Sequence, residues 1–265
     1  MLTVKCYTSV EVNETSRAIA TCVLSKLQVE YPGQLPDSAI RGYTKRLKQN
    51  IALIDESDLI SLVQYNGPVH FVCGGWECQP MSLAGLHQGL DDSRFDCFLD
   101  MVKILNYLQK EQKPSPLYLF ENTWPGLPGQ YPKVDEAATL IESFLGAPVT
   151  IDAAGLGSAA HRVRLFWTNW LKPETLQDAI PKDILPSPSL KQILHVDHVP
   201  SQPTKYPRPP FAGHNKVSQP RLTMPTIVSY PKSHAYRMQE NGRPGDGLLW
   251  NKRTKRYEVP TLEEK

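Results

Sequence analysis

The stretch Val69-His70-Phe71-Val72-Cys73-Gly74-Gly75-Trp76-Glu77-Cys78-Gln79-Pro80 runs from apolar residues, through two glycines, into a loop bearing a cysteine. The run Val69 to Cys73 reads as a short buried strand. The two glycines allow a tight turn at its carboxyl end, where ligands of open α/β sheets bind. Cys78 follows in a loop that could present its sulfur to a substrate.

Working outward, Thr3 to Val12 reads as a strand, and Asn13 or Thr15 caps a helix from Ser16 to about Glu30. A polar loop with a short helix spans Pro32 to Gln49, and another short helix spans Ser57 to Gln64. Beyond the cysteine loop, Arg94 to Gln112 places Phe95, Phe98, Leu99, Val102, Leu105 and Leu108 at helical spacing. Leu117–Phe120, Val149–Ile151 and Val163–Thr168 read as strands, and Asp135–Leu145 as a helix. Such alternation is the pattern of a parallel sheet covered by helices. It stops near Asn169, where prolines crowd in from Pro173 to Pro188 and from Pro200 to Pro231. That portion reads as an irregular, partly extended, basic module.

With 265 residues, 40% of them hydrophobic, the chain can form one α/β domain with a small appendage. No apolar run approaches a membrane span and no charged-then-apolar leader opens the chain. Five cysteines lack disulfide-framework or zinc spacing, which reads as a reduced intracellular protein with no metal site. Cys6, Cys22, Cys73 and Cys97 read as small buried hydrophobes. Net charge is only +2, yet residues 201–265 hold twelve Lys/Arg against five Asp/Glu. A basic final third suits a polyanionic partner as well as it suits a solvated surface.

Gly74-Gly75-Trp76-Glu77-Cys78-Gln79-Pro80-Met81-Ser82-Leu83-Ala84-Gly85 resembles the nucleophile loop of the cytosine-5 DNA methyltransferases, Gly-Gly-x-Pro-Cys-Gln-x-x-Ser-x-Ala-Gly. Glu121-Asn122-Thr123 is similar to that family's Glu-Asn-Val, and Asp92-Ser93-Arg94 to its Asp-x-Arg. Ala160-His161-Arg162-Val163-Arg164 is similar to its Gln-x-Arg-x-Arg element, in the form of the eukaryotic de novo branch. Val10-Glu11-Val12-Asn13 resembles the motif whose acidic residue holds the cofactor ribose. Glu11 is equally readable as an ordinary surface carboxylate.

The resemblance implies a Rossmann-like, S-adenosylmethionine-dependent fold, cytosine-5 methylation of DNA, and a nuclear location. It implies a catalytic domain over residues 1–170, a target-recognition-like module over 171–220, and a return to the catalytic domain over 221–265. Cys78 would be the nucleophile, because a thiolate adding to carbon-6 turns the cytosine ring into an enamine. Glu121 would supply the proton or hydrogen bond at ring nitrogen 3, with desolvation keeping it protonated. Arg162 and Arg164 would hold the base carbonyl and a phosphate. Glu11 and Asn50 would bind the cofactor, and Gln79, Ser82 and Asn122 the substrate. The target base must leave the duplex to be reached.

Three departures from the family pattern stand out. Glu77 replaces the proline before the cysteine, and a carboxylate there disfavours the thiolate unless Arg162 or Arg164 offsets it. No glycine precedes Gly33, so the family's first glycine turn and strand are expected to be missing. Pro260–Lys265 looks like the opening of the family's last motif. These departures support an alternative, a non-catalytic DNA-binding or regulatory relative; an RNA-directed enzyme fits the arginine element less well. Gly155-Leu156-Gly157-Ser158-Ala159-Ala160 mimics a dinucleotide fingerprint, but a strand rather than a helix is expected to follow it.

Overall fold

The computed structural model describes residues 3–41, 47–82, 87–123, 125, 128–156, 158, 160–179, 194, 196–200, 204–206, 221–225 and 248–258. The chain divides into two compact units: residues 1–146 with 167–170, and residues 147–166 with 171–265.

In the first unit, α1 (Glu14–Glu30) is capped by Asn13, whose side chain accepts from the Ser16 amide. The segment ahead of it is not the strand expected over Thr3–Val12. It has β-forming residues but pairs with no strand among the described residues. Instead its amides at Val4 and Tyr7 bond to the carbonyls of Gln34 and Ala39, beside α2 (Asp37–Arg41). A small core of Leu24, Leu35, Ala39, Tyr7 and Ile40 joins α1 and α2 to it. Next, α3 (Glu56–Asn66) opens on a capping box between Asp55 and Asp58, and Lys48 bridges both carboxylates.

Strand β1 is Phe71–Gly75, so the two glycines lie inside the strand rather than after it. It runs parallel to β2 (Leu117–Thr123), with Phe71 opposite Leu117 and Gly75 opposite Glu121. Contrary to expectation β1 is mostly exposed, and so are Cys73 on it and Cys22 on α1. Apolar composition favours a strand, but burial needs a covering layer, and β1 has little of one among the described residues. The core lies instead between β2 and the helices that follow the strands. Helix α4 (Asp96–Glu111) buries Phe98, Met101, Val102, Leu105 and Leu108, while Leu99 faces outward. Helix α5 (Pro132–Leu145), started by a proline, buries Val134, Ala137, Ile141 and Leu145. The buried side chain of Gln112 clamps the approach to β1: its Oε1 accepts from the Val69 amide at 2.6 Å.

In the second unit, β3 (Val149–Asp152) pairs with β5 (Val163–Thr168), and the pairing is antiparallel. The alternation of elements predicted a parallel sheet throughout. Here the connection is too short for a crossover helix, and the chain turns straight back. Inside that connection β4 (Ala160–His161) follows the glycine-rich decoy, so no helix opens there. Beyond α6 (Pro173–Ala179) come β6 (His198–Pro200), β7 (Thr204–Tyr206), β8 (Arg221–Pro225), β9 (Leu249–Asn251) and β10 (Arg256–Glu258). The proline-rich portion therefore does contain sheet, in short pieces. β8 lies between β4 and β7, and β9 between β6 and β10. No described helix is long and apolar enough to cross a membrane.

Candidate active site

The cysteine loop is anchored at its entrance by Trp76, which is 6% exposed and packs against the rings of Phe98 and Trp167 at centroid distances of 4.8 and 5.3 Å. The Trp76 carbonyl accepts from Asn122 Nδ2 at 3.2 Å, and Asn122 Oδ1 accepts from the Thr123 amide. Asn122, expected to touch substrate, is thus buried and bound to the loop backbone. From this anchor the loop folds back on itself. The Cys78 carbonyl accepts from the amides of Met81 and Ser82 at 3.0 and 2.8 Å, and the Pro80 carbonyl from the Gly89 amide at 3.1 Å. Cys78 and Gln79 are exposed at the turn, and Ser82 is half-buried.

Glu121 lies on β2 directly opposite Gly75 of β1. An atom added as Cβ on Gly75 would lie 2.7 Å from the Glu121 carbonyl oxygen and 3.5 Å from its Oε2. The second glycine is therefore needed for close approach of the two strands, and it keeps the space beside the Glu121 carboxyl clear. The Glu121–Asn122 pair lies within β2, so alternation along the strand sends the two side chains to opposite faces.

Below the loop lies the start of α4. Burial pushes the thiol of Cys97 up, and the backbone of Glu77 beside it opposes that shift. Asp92, 6% exposed, binds Arg94 through both carboxylate oxygens: Nε to Oδ1 at 2.8 Å and Nη2 to Oδ2 at 2.6 Å. This fork holds the Asp92 carboxyl below the usual carboxylate range. The Arg94 guanidinium is raised by Asp92 first, and by the nearby charges of Glu77 and Cys78. Arg162 or Arg164 was expected to offset Glu77. Arg94, not considered for it, stands within electrostatic reach. Its sequence signal was the Asp-x-Arg spacing, which permits the carboxylate to grip the guanidinium two residues on.

Glu11 lies at the head of α1, where its Oε1 accepts from the Asn13 amide at 2.7 Å and its carbonyl from Arg17. Its charge is also felt at Cys97. Asn50 caps the turn Ile51–Leu53, accepting from the Ala52 amide, and that turn packs on α4. Arg162 and Arg164 belong to the second unit. The Arg162 backbone is fixed by Asp152, 1% exposed, whose Oδ1 accepts from its amide at 3.0 Å, and by the Ala153 amide at its carbonyl. The Arg162 side chain is exposed; Arg164, half-buried on β5, donates to the Val163 carbonyl. Among the described residues no cluster of His, Cys, Asp and Glu could hold a metal ion.

Comparison with known proteins gives one family: the model for the C-5 cytosine-specific DNA methylases matches residues 33–258. The type II methyltransferase M.AluI of Cellulosimicrobium cellulans is 30% identical over 131 residues, which are 45% of this chain and 24% of that protein. The match therefore spans about a quarter of that relative. Similar solved structures include a putative DNA modification methyltransferase encoded within an E. coli prophage, with 19% identity, TM-score 0.42, and 71% of this chain and 47% of that one covered. The S. pombe Dnmt2 methyltransferase gives 9% identity and TM-score 0.42, covering 98% of this chain and 77% of that one.

Proposed function

The chain belongs to the C-5 cytosine-specific DNA methylase family, and from that premise we propose that it methylates carbon-5 of cytosine in DNA through a covalent adduct at Cys78. The observation that carries this reading is the pairing of Glu121 on β2 with Gly75 on β1, three residues before the exposed Cys78. The Cys78 thiolate adds to carbon-6 of a flipped-out cytosine, making carbon-5 nucleophilic. Glu121 holds a proton at ring nitrogen 3 as charge builds on the ring. Arg162 and Arg164 hold the base carbonyl and a neighbouring phosphate. Gln79 and Ser82 border the base from the cysteine turn, and Asn122 acts from below by fixing that turn. Loss of the carbon-5 proton then breaks the carbon–sulfur bond and frees Cys78.

When bound, S-adenosylmethionine supplies the electrophilic methyl group. Glu11 fits the ribose: its Oε1 is tied to Asn13, and its Oε2 bonds to no other described residue. The Asn50 amide nitrogen fits the adenine edge, its oxygen being used in the cap. The likeness of Ala160–Trp167 to the eukaryotic de novo branch supports DNA over RNA as substrate and a nuclear location.

The test is transfer of labelled methyl groups from S-adenosylmethionine to cytosine in duplex DNA. Transfer that disappears in Glu121→Gln, with labelled 5-methylcytosine in the hydrolysate of the wild type, supports the reading. Label on adenine, or on RNA alone, contradicts it.

A further inference from the structure

The second unit carries four cations within five residues, Lys252, Arg253, Lys255 and Arg256, all exposed at the turn between β9 and β10. None of them forms an ion pair with another described residue. The single carboxylate of the hairpin, Glu258, is turned to the frame instead. Its Oε2 accepts from Asn251 Nδ2 at 2.9 Å and meets His198 Nε2 at 3.3 Å, and its Oε1 accepts from Thr254 at 2.7 Å. The Thr254 and Asn251 bonds, ahead of His198, hold its carboxyl below the usual range. Asn251 Oδ1 caps the turn by accepting from the amides of Arg253 and Thr254. Below the turn Leu248 and Leu249 are fully buried, and Trp250 packs on Tyr257. The loop is a rigid platform with its negative charge consumed inside and its positive charge outside.

A second observation points the same way. Lys255 has φ +54, a left-handed conformation that glycine adopts freely and side chains with a Cβ resist. Among the described residues other than glycine only His87 shares it. A lysine kept where glycine would sit more easily signals use of its side chain. Four exposed cations on one turn, whose one carboxylate is engaged inside it, suit a polyanion, and nucleic acid carries a negative charge at every phosphate.

We propose that the β9–β10 turn is a clamp for the phosphate backbone of nucleic acid, with Lys252, Arg253, Lys255 and Arg256 as its contacts. The proposal rests on the DNA reading above, and supplies a sequence-independent grip distinct from the arginines assigned to the flipped base.

The experiment measures fluorescence anisotropy of a short labelled duplex with the full chain over a series of salt concentrations. Each lost contact is expected to flatten the log–log salt slope by about 0.9, equally for unrelated sequences. Lys255→Gly is the informative variant: it should melt no lower than the wild type, because it relieves the left-handed residue, yet bind duplex more weakly with the flatter slope. Lys255→Gly or the fourfold alanine variant binding with wild-type affinity and slope overturns the proposal. So does labelled polyglutamate binding as tightly as the duplex. A Cys78 adduct with 5-fluorocytosine DNA that persists in the fourfold variant at low salt would leave the catalytic reading standing whichever way the clamp falls.

Discussion

Gly75 and Glu121 face each other across β1 and β2, and a methyl group on Gly75 would sit 2.7 Å from the Glu121 carbonyl oxygen. The residue three places before the candidate nucleophile therefore sets how closely the candidate acid's strand can approach. Gly74, its neighbour, has nothing within 4 Å of the same position.

This contrast makes Gly75→Ala and Gly74→Ala a matched pair. The first must push two hydrogen-bonded strands apart and should cost about 1–3 kcal/mol. The second meets open space and should stay within about 0.5 kcal/mol of the wild type. Urea unfolding of both variants measures the difference. Equal midpoints would show that the strands do not approach as described.

Gly89 is a harder constraint. It has φ +54, and an added Cβ would overlap the Lys133 carbonyl at the start of α5. Gly89→Ala combines a left-handed penalty with a backbone clash, so a loss of about 2–5 kcal/mol is expected. Its amide also holds the Pro80 carbonyl. The exposed Cys78 turn should accordingly become more accessible to protease, which limited proteolysis followed by mass spectrometry would detect.

Much of this was legible beforehand, and the limits have physical causes. α4 could be read because Phe98, Val102, Leu105 and Leu108 repeat at the helical period on a buried face. The bounds of β5 were legible from its apolar run. The sense of β3 against β5 was not, because sequence alternation does not say whether a short connection crosses over or turns back. Thr3–Val12 forms no strand because its Val4 and Tyr7 amides bond to the carbonyls of Gln34 and Ala39 instead, which no local propensity reports. At the site, motif order placed Cys78 just after β1 and Glu121 near the carboxyl end of its parallel neighbour β2. The roles of Asn122 under Trp76 and Arg94 beside Glu77 depend on contacts distant in sequence or on side-chain direction, and these appear only in the folded chain.

Arg94 leads to a prediction about the cysteine itself. Glu77 stands next to Cys78, and the Asp92-held guanidinium of Arg94 is within electrostatic reach of both. Removing that cation in Arg94→Met should slow alkylation of Cys78 by iodoacetamide at neutral pH, by roughly three- to tenfold. Glu77→Gln should speed it by a similar factor. Peptide mass spectrometry separates Cys78 from the other four cysteines. No change in either variant would remove Arg94 from the account.

Tyr118 on β2 ties the sheet to the end of α5, its hydroxyl donating to the Leu145 carbonyl at 3.1 Å. Burial pushes its phenol above the ordinary tyrosine value of about 10. The folded state thus favours the neutral form. That stability is fully present below about pH 10 and is lost as pH rises through the raised folded value. Tyr118→Phe should cost about 1 kcal/mol at neutral pH through the lost hydrogen bond. It should also flatten the alkaline fall of the urea midpoint. A variant that unfolds with the wild-type alkaline profile would place the titrating group elsewhere.

Attack of Cys78 on cytosine can be trapped with a suicide substrate. In duplex DNA bearing 5-fluorocytosine, with S-adenosylmethionine present, carbon-5 cannot shed fluorine as it sheds a proton, so the thioether persists. The account predicts a denaturation-resistant protein–DNA adduct that maps by mass spectrometry to the Cys78 peptide and disappears in Cys78→Ser. An adduct that survives Cys78→Ser, or one that maps to Cys73, would contradict it.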